Sequence, residues 1–225
     1  METEVIAHIY TDFPEKFGIP RQSNLVEGAR GKIVFTPKYR NPDALRGIEE
    51  YDYLWLLWDF SKAHRQNWAA TVAPPRLGGR ERMGVFSTRS PYRPNSIGLS
   101  SVRLERLEKE EERGIVLYVS GIDMLNGTPI LDIKPYLPYT DAHPDAKAGF
   151  GERDVKGNLT VDIPKECRSQ IDPNDLEDIY RILQQDPRTA FIHDEERVWG
   201  VAYGKYNVRF TVKGEILTVR EIEIR

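Results

Sequence analysis

The fold class follows from Ile115-Val-Leu-Tyr-Val-Ser-Gly-Ile122, where β-branched and aromatic residues occupy adjacent positions. This pattern is typical of a strand that is buried on both faces. Similar short stretches precede and follow it, separated by Gly, Pro and Asn. No long helical pattern interrupts residues 1–140, which disfavours a doubly wound βαβ sheet and favours a barrel or a sandwich. We predict strands at Val5–Tyr10, Ile33–Thr36, Tyr51–Phe60, Met83–Thr88, Leu99–Leu107, Ile115–Ile122 and Ile130–Ile133, and a short helix from Asn41 to Ile48.

The C-terminal part of the chain has a different pattern. Asp172-Pro173 predicts a helix start, and apolar residues then recur with helical spacing up to Leu183. We predict further strands at Ala190–Ile192, Val198–Tyr203, Asn207–Val212 and Glu215–Ile224. The sequence thus divides into a strand-rich domain over residues 1–145, a linker rich in Gly, Pro, Asp and Lys over 146–163, and a small α+β domain over 164–225.

The composition predicts a soluble globular protein. Of the 225 residues, 40% are hydrophobic and 30% are charged, and the net charge of −3 argues against a generic basic nucleic-acid binder. The longest apolar stretch is far below the ~20 residues that span a bilayer, and the N-terminus lacks the features of a secretory signal. Cys167 is the single cysteine, which excludes an internal disulfide. We expect a cytoplasmic protein that contacts no membrane and holds no metal.

Common catalytic signatures are absent from the sequence, including the phosphate-binding and dinucleotide-binding glycine motifs and the zinc-protease motif. The four histidines show no metal-ligand spacing. Residues 76–103 instead contain six arginines, no lysine and one acidic residue. Arginine without lysine favours bidentate recognition of carboxylate or phosphate.

Three loops carry most of the chemical information. In Lys16-Phe-Gly-Ile-Pro-Arg-Gln22, glycine and proline shape a turn that presents the last two residues. In residues 84–100, two prolines fix the backbone around Arg89, Tyr92 and Arg93, as the recognition of an anionic ligand that bears a base would require. The alternative is that this loop is only a stiff barrel corner.

The third loop is Asp123-Met-Leu-Asn-Gly-Thr-Pro-Ile-Leu-Asp-Ile-Lys-Pro-Tyr136. Its Asn-Gly pair predicts a tight turn, and Asp132 and Lys134 then lie on one face of the following strand. Two interpretations remain open for this pair. Either both residues take part in chemistry, or they form a surface ion pair on a hairpin.

These loops closely resemble the TrmO/YaeB-type family of S-adenosylmethionine-dependent tRNA methyltransferases. The segments Pro74-Pro-Arg-Leu-Gly-Gly79, Asp186-Pro-Arg188 and Tyr206-Asn-Val-Arg-Phe210 extend the resemblance over nearly the whole chain. Ser96 and Asn126 depart from the family pattern, which usually has Pro and Asp there. The resemblance implies a β-barrel methyltransferase domain with a small C-terminal α+β domain, and a homodimer.

The reaction that the resemblance implies is N6-methylation of N6-threonylcarbamoyladenosine, which lies next to the anticodon of tRNA. The cofactor would be S-adenosylmethionine. By resemblance its contacts would be Pro20, Arg21, Gln22, Ser61, Lys62, Arg89, Leu99, Gly121, Ile122, Asp123, Met124 and Leu125. Arg89 would pair with the methionine carboxylate of the cofactor, and the two leucines would flank its adenine.

Given this substrate, we expect arginines to contact tRNA phosphates near the anticodon loop. The candidates are Arg76, Arg80, Arg82, Arg93 and Arg188. Asp132 is the candidate general base, and Lys134 would keep it ionised or bind the threonyl carboxylate of the substrate. The competing hypothesis is a non-catalytic RNA-binding module that uses the same arginines.

Overall fold

The computed structural model describes residues 2–74, 77, 81–152, 159–188 and 194–225. Within them, twelve strands and three α-helices follow in chain order. The strands are β1 (Ala7–Thr11), β2 (Arg30–Phe35), β3 (Tyr53–Asp59), β4 (Thr71–Val72), β5 (Met83–Gly84), β6 (Ile97–Glu110), β7 (Gly114–Ser120), β8 (Thr128–Pro135), β9 (Thr160–Asp162), β10 (Trp199–Tyr203), β11 (Tyr206–Lys213) and β12 (Ile216–Ile224). The helices are α1 (Pro138–Asp141), α2 (Lys165–Arg168) and α3 (Pro173–Gln184).

Six strands close into a barrel in the order β1-β2-β7-β6-β3-β8. Every pair of neighbours in it is antiparallel. Residues alternate between the two faces of each strand, so that Leu54, Leu56 and Trp58 of β3 point into the core. Burial of each of the two leucine side chains contributes roughly 1.5–3 kcal/mol to folding. The prediction of a mainly β fold with a barrel is confirmed.

Two local predictions in the barrel domain differ from the structure. The helix predicted from Asn41 to Ile48 is a pair of short 3₁₀ turns, Pro42–Leu45 and Ile48–Glu50. Gly47, with φ of 85°, separates them and prevents one continuous helix. The strand predicted at Met83–Thr88 ends after Gly84, because Val85–Ser87 turn into a 3₁₀ helix.

The C-terminal part forms a four-stranded sheet in the order β10-β11-β12-β9. Asp172 caps α3 as expected, since its side chain accepts a hydrogen bond from the Asn174 amide at 2.9 Å. Thr160–Asp162, within the segment predicted as a linker, form β9, which pairs in parallel with β12. The flanking Leu159 and Ile163 are buried in the core. The strand predicted at 190–192 lies outside the described residues, and the domain boundaries stay a prediction.

Aromatic contacts join the two parts of the chain. The rings of Phe13 and Tyr203 lie 5.3 Å apart, and those of Phe17 and Trp199 stack at 5.9 Å. Gly18, with φ of 91°, turns the chain tightly against Val201. The C-terminal sheet therefore supports the loop that contains residues 16–22. Among the described helices, none is both long and apolar enough to cross a membrane.

Candidate active site

A cavity of about 550 Å³ lies at the end of the barrel where β3 ends and β6 and β8 begin. Four segments line it, at residues 16–22, 58–63, 88–99 and 123–128. The three loops singled out from the sequence therefore meet in one place. Its volume is in the range of small-molecule and cofactor sites, which is roughly 300–1,000 Å³.

Most of the residues predicted to contact a cofactor line this cavity. They are Pro20, Arg21, Gln22, Ser61, Lys62, Arg89, Leu99, Asp123 and Leu125. Gly121, Ile122 and Met124 are not among the lining residues. The side chains of Ile122 and Met124 are fully buried in the hydrophobic core, and the Gly121 carbonyl accepts a hydrogen bond from the Asn24 amide at 2.8 Å.

Two consecutive hydrogen bonds connect β3, β6 and the loop between β7 and β8, and they end at the cavity. The Trp58 indole donates to the Ser100 hydroxyl at 3.0 Å, and that hydroxyl donates to Asp123 Oδ1 at 2.6 Å. Ser100 is buried and lies one strand away from Trp58. The indole packs directly against Gly98, where any Cβ would collide with the ring. The side chain of Asp123 is thus held in a fixed position facing the cavity.

Burial raises the pKa of Asp123 to about 6. Hydrogen bonds from Ser100 and from the backbone at residues 23 and 123, and the charge of Arg89, act in the opposite direction but do not cancel the effect of burial. A carboxyl group with this pKa is mostly ionised at neutral pH and still accepts a proton readily. Asp123 is the group in the cavity whose protonation state is tuned most clearly.

Cationic side chains surround the opening. Arg89 donates to the amide oxygen of Gln22, which ties the 84–100 loop to the 16–22 loop. Lys16 Nζ donates to the Lys62 carbonyl oxygen at 2.6 Å, and Arg93 donates to the Thr88 carbonyl oxygen at 3.1 Å. This arrangement provides an anion-binding wall beside the apolar surface of Leu99 and Leu125.

The two departures from the family pattern have structural roles in this chain. The Ser96 hydroxyl donates to the Pro91 carbonyl oxygen at 3.0 Å and closes the loop that presents Arg93. Asn126 accepts a hydrogen bond from the Thr11 amide at 3.0 Å through Oδ1. An amide and a carboxylate both accept this bond, so the turn does not require an acid.

Of the arginines that are predicted to contact tRNA and that the structure describes, Arg93 lines the cavity and the other two do not. Arg82 Nη2 donates to the Thr71 carbonyl oxygen at 2.7 Å on β4. Arg188 forms a bidentate ion pair with Asp186, with distances of 2.7 and 2.9 Å, and its side chain has little exposure to solvent. Arg76 and Arg80 lie outside the described residues.

Asp132 and Lys134 form an ion pair at 3.0 Å. Neither is among the residues that line the cavity. Their side chains are 45% and 63% exposed, which places them on the outside of the barrel. The arrangement agrees with the second interpretation of this sequence pair, a surface ion pair, and the role of Asp132 as a base stays a prediction.

Two family models match the chain. The tRNA-methyltransferase O N-terminal domain covers residues 8–142, and the TrmO C-terminal domain covers residues 156–225. The chain belongs to the TrmO family. The resemblance inferred from the three loops is therefore confirmed.

Full-length relatives support this membership. The tRNA (adenine(37)-N6)-methyltransferase of Escherichia coli (strain K12) is 37% identical over 99% of this chain and 97% of its own. The putative S-adenosylmethionine-dependent methyltransferase RcsF of Pseudomonas aeruginosa is 42% identical over 87% of this chain and 86% of its own. A crystal structure of TrmO from P. aeruginosa has a TM-score of 0.81 and 34% identity, and the match covers 100% of this chain and 97% of that one.

Several residues of this cavity are not indicated by any pattern in the sequence. Trp58 and Ser100 were visible only as members of predicted strands, and no local pattern indicates that they meet. Asp59 also lines the cavity and contacts His64 Nε2 at 2.6 Å, although the sequence showed no reason to pair them. Among the described residues, no group of three His, Cys, Asp or Glu side chains is placed to hold a metal ion.

Proposed function

We propose that this chain transfers a methyl group from S-adenosylmethionine to N6 of threonylcarbamoyladenosine at position 37 of tRNA. One observation carries the proposal. A single cavity combines a half-buried carboxylate whose pKa is raised to about 6, a cationic wall and an apolar surface. The names of the relatives, which specify adenine 37, N6 and S-adenosylmethionine, agree with this chemistry.

The cavity fits S-adenosylmethionine by the chemistry of its lining. Arg89 and Lys62 would hold the carboxylate of the methionine part, and Leu99 and Leu125 would pack against the adenine. When bound, the cofactor supplies an activated methyl group on a positively charged sulfur. The remaining task of the protein is to position the acceptor nitrogen and to accept its proton.

The acceptor nitrogen is a weak nucleophile because its lone pair is delocalised into the purine and into the adjoining carbonyl. The same delocalisation makes its N–H more acidic than that of an ordinary amine. A carboxylate with a pKa of about 6 is well matched to this proton. We therefore assign the role of proton acceptor to Asp123, since it faces the cavity and Asp132 does not.

The threonyl carboxylate of the substrate requires a cation near the cavity opening. Arg93, which lines the cavity and is held by the Thr88 carbonyl, is placed for this role. Arg21 Nη2 donates to the Asp186 carbonyl oxygen at 3.3 Å, so the C-terminal domain braces the same opening. Substrate without the threonylcarbamoyl group should be methylated poorly, because it lacks both the carboxylate and the acidifying carbonyl.

The alternative, a non-catalytic RNA-binding module, is not favoured. Surface arginines alone would suffice for such a module. This chain instead contains a cavity with a half-buried carboxylate, which accepts a hydrogen bond from Ser100, and Trp58 in turn donates to that hydroxyl. Removing a carboxylate from water costs free energy and shifts its pKa, and carboxylates with shifted pKa values are common in catalytic sites.

We also propose that the chain acts as a homodimer in the cytoplasm, where tRNA is modified. Ile97, an exposed apolar residue to which no cofactor contact is assigned, supports a partner surface. Trp55 of β3 contributes little to such a surface, because it packs against Tyr136 and donates to Asp141. A monomer mass by light scattering would contradict the dimer.

Two measurements test the proposed function. Titration calorimetry should detect S-adenosylmethionine binding, and mass spectrometry of nucleosides should detect methylated threonylcarbamoyladenosine in tRNA treated with protein and cofactor. A matched reaction with tRNA that lacks the threonylcarbamoyl group should give little product. If tRNA binds but neither cofactor binding nor methyl transfer occurs at millimolar cofactor, the RNA-binding alternative is correct.

A further inference from the structure

Two large aromatic side chains lie exposed beside the cavity and have no role in the mechanism above. Trp68 is 52% exposed and Phe86 is 72% exposed. Their ring centroids are 6.0 Å apart and the ring planes differ by 23°. A pair of adjacent exposed rings is a specific feature, since most large aromatic side chains bury their surface. We call this pair the aromatic platform.

The backbone on both sides holds the aromatic platform in place. The Val85 amide donates to the Ala70 carbonyl at 3.0 Å, and β4 pairs with β5 next to it. The Ala69 amide donates to the carbonyl of Tyr92 at 3.3 Å. Tyr92 lines the cavity, so the segment that carries the platform is hydrogen-bonded to the cavity wall.

The segment that carries the platform is basic. Among its described residues in the range 60–97, Lys62, Arg65, Arg82, Arg89 and Arg93 are basic and Glu81 is acidic. The Arg65 guanidinium lies 3.7 Å from the centre of the ring of Tyr92, which lines the cavity. Flat apolar rings flanked by cations match the two faces of an unpaired nucleotide, which are a base to stack and a phosphate to neutralise.

Building on the proposed function, we infer that the aromatic platform stacks an unpaired nucleobase of the anticodon loop next to the methylated adenosine. The cavity accepts one base, and the platform holds its neighbour. Base stacking would give these two exposed rings, which lie in a polar segment, a role. It also allows recognition without reading sequence, since every base has a face that can stack.

The test measures binding of an anticodon stem-loop that carries threonylcarbamoyladenosine, by fluorescence anisotropy. Phe86→Ala and Phe86→Leu should weaken binding about tenfold, within the range expected for loss of one stacked base. Phe86→Tyr, which keeps the ring, should bind within about twofold of wild type. Tyr139→Ala is the matched control, because Tyr139 is an 86% exposed aromatic residue on α1 and does not line the cavity.

Four further measurements separate the possible outcomes: melting temperature, S-adenosylmethionine affinity, methylation and molecular mass. Melting temperature and S-adenosylmethionine affinity should stay unchanged in all Phe86 variants, because this side chain is exposed. Equal RNA affinity of wild type, Phe86→Ala and Phe86→Leu, with normal methylation by wild type, would overturn the stacking role and leave the proposed function intact. A fall in molecular mass for Phe86→Ala with unchanged RNA affinity would show that a second copy of the chain covers the platform. Absence of methylation by wild type would instead contradict the proposed function.

Discussion

Asp123 and Asp132 come from the same motif region but lie in opposite environments. Asp123 faces the cavity, receives a hydrogen bond from Ser100 and has a pKa raised to about 6 by burial. Asp132 is 45% exposed on the barrel exterior and pairs with Lys134. A carboxylate is therefore poised for chemistry by burial next to a cavity, and not by its nearness to a recognisable motif.

A β-bulge explains why Asp132 points away from the core. Trp58 of β3 pairs with Ile130 of β8, whereas the preceding residue, Leu57, pairs with Asp132. Leu131 is therefore an extra residue in β8 that has no partner on β3. Before the bulge Ile130 is buried; after it, Asp132 lies opposite the outward residue Leu57.

Replacement of Asp123 should produce the largest effect. We expect Asp123→Asn to lower the single-turnover rate of tRNA methylation at least about 100-fold, or about 2.7 kcal/mol of barrier, since an amide cannot accept the proton. Calorimetry of S-adenosylmethionine binding is the control, and its Kd should change less than about threefold. If cofactor affinity falls in parallel with the rate, Asp123 binds the cofactor and does not act as the base.

Removal of the Ser100 hydroxyl should have the next largest effect. Its hydrogen bond lowers the pKa of Asp123, so Ser100→Ala should raise that pKa further. The acid limb of the pH–rate profile, expected near pH 6 in wild type, should move to higher pH, with a rate loss of about tenfold below pH 7 that shrinks above pH 8. Ser101→Ala, on the other face of β6, should leave the limb in place. An unmoved limb in Ser100→Ala would separate the hydroxyl from catalysis.

Much of the fold could be predicted from local patterns. The strand series, the Asp172 cap of α3 and the three loops depend on nearby residues, and the structure contains them. The meeting of Trp58, Ser100 and Asp123 could not be predicted, because their contact depends on the register of β3 against β6 and on closure of the barrel. Neither is encoded in a local window. The same holds for the bulge that turns Asp132 outward.

A third carboxylate, Asp178, is buried but does not line the cavity, so it tests whether burial alone affects catalysis. It is 4% exposed, accepts a hydrogen bond from the Tyr203 hydroxyl at 2.8 Å and does not line the cavity. Tyr203→Phe should therefore lower stability by about 1–3 kcal/mol and leave the pH–rate profile unchanged. Chemical denaturation measures the first effect and methylation kinetics the second. Tyr139→Phe, on an exposed residue, is the control for stability.

The pH dependence of this variant has a definite sign. Burial raises the pKa of Asp178 and the Tyr203 hydrogen bond lowers it, so Tyr203→Phe raises it further. When the pKa of a carboxyl is higher in the folded state than in the unfolded state, the protein becomes less stable as pH rises from the unfolded-state pKa to the folded-state pKa. The destabilisation by Tyr203→Phe should thus be larger at pH 7.5 than at pH 4.5. A larger loss at the lower pH would mean that Asp178 is not the partner that matters.

The smallest effect is expected at the exterior pair. Asp132→Asn removes an exposed ion pair, which contributes about 0–1 kcal/mol to stability. It leaves the cavity wall untouched, so single-turnover methylation should fall less than about threefold. The side-chain oxygen of Asn retains the hydrogen bond that Asp132 Oδ1 accepts from the Ile133 amide, so the strand should keep its register. A loss beyond about tenfold, with Asp123→Asn less affected, would return the role of base to Asp132 and require β8 to turn inward when tRNA binds.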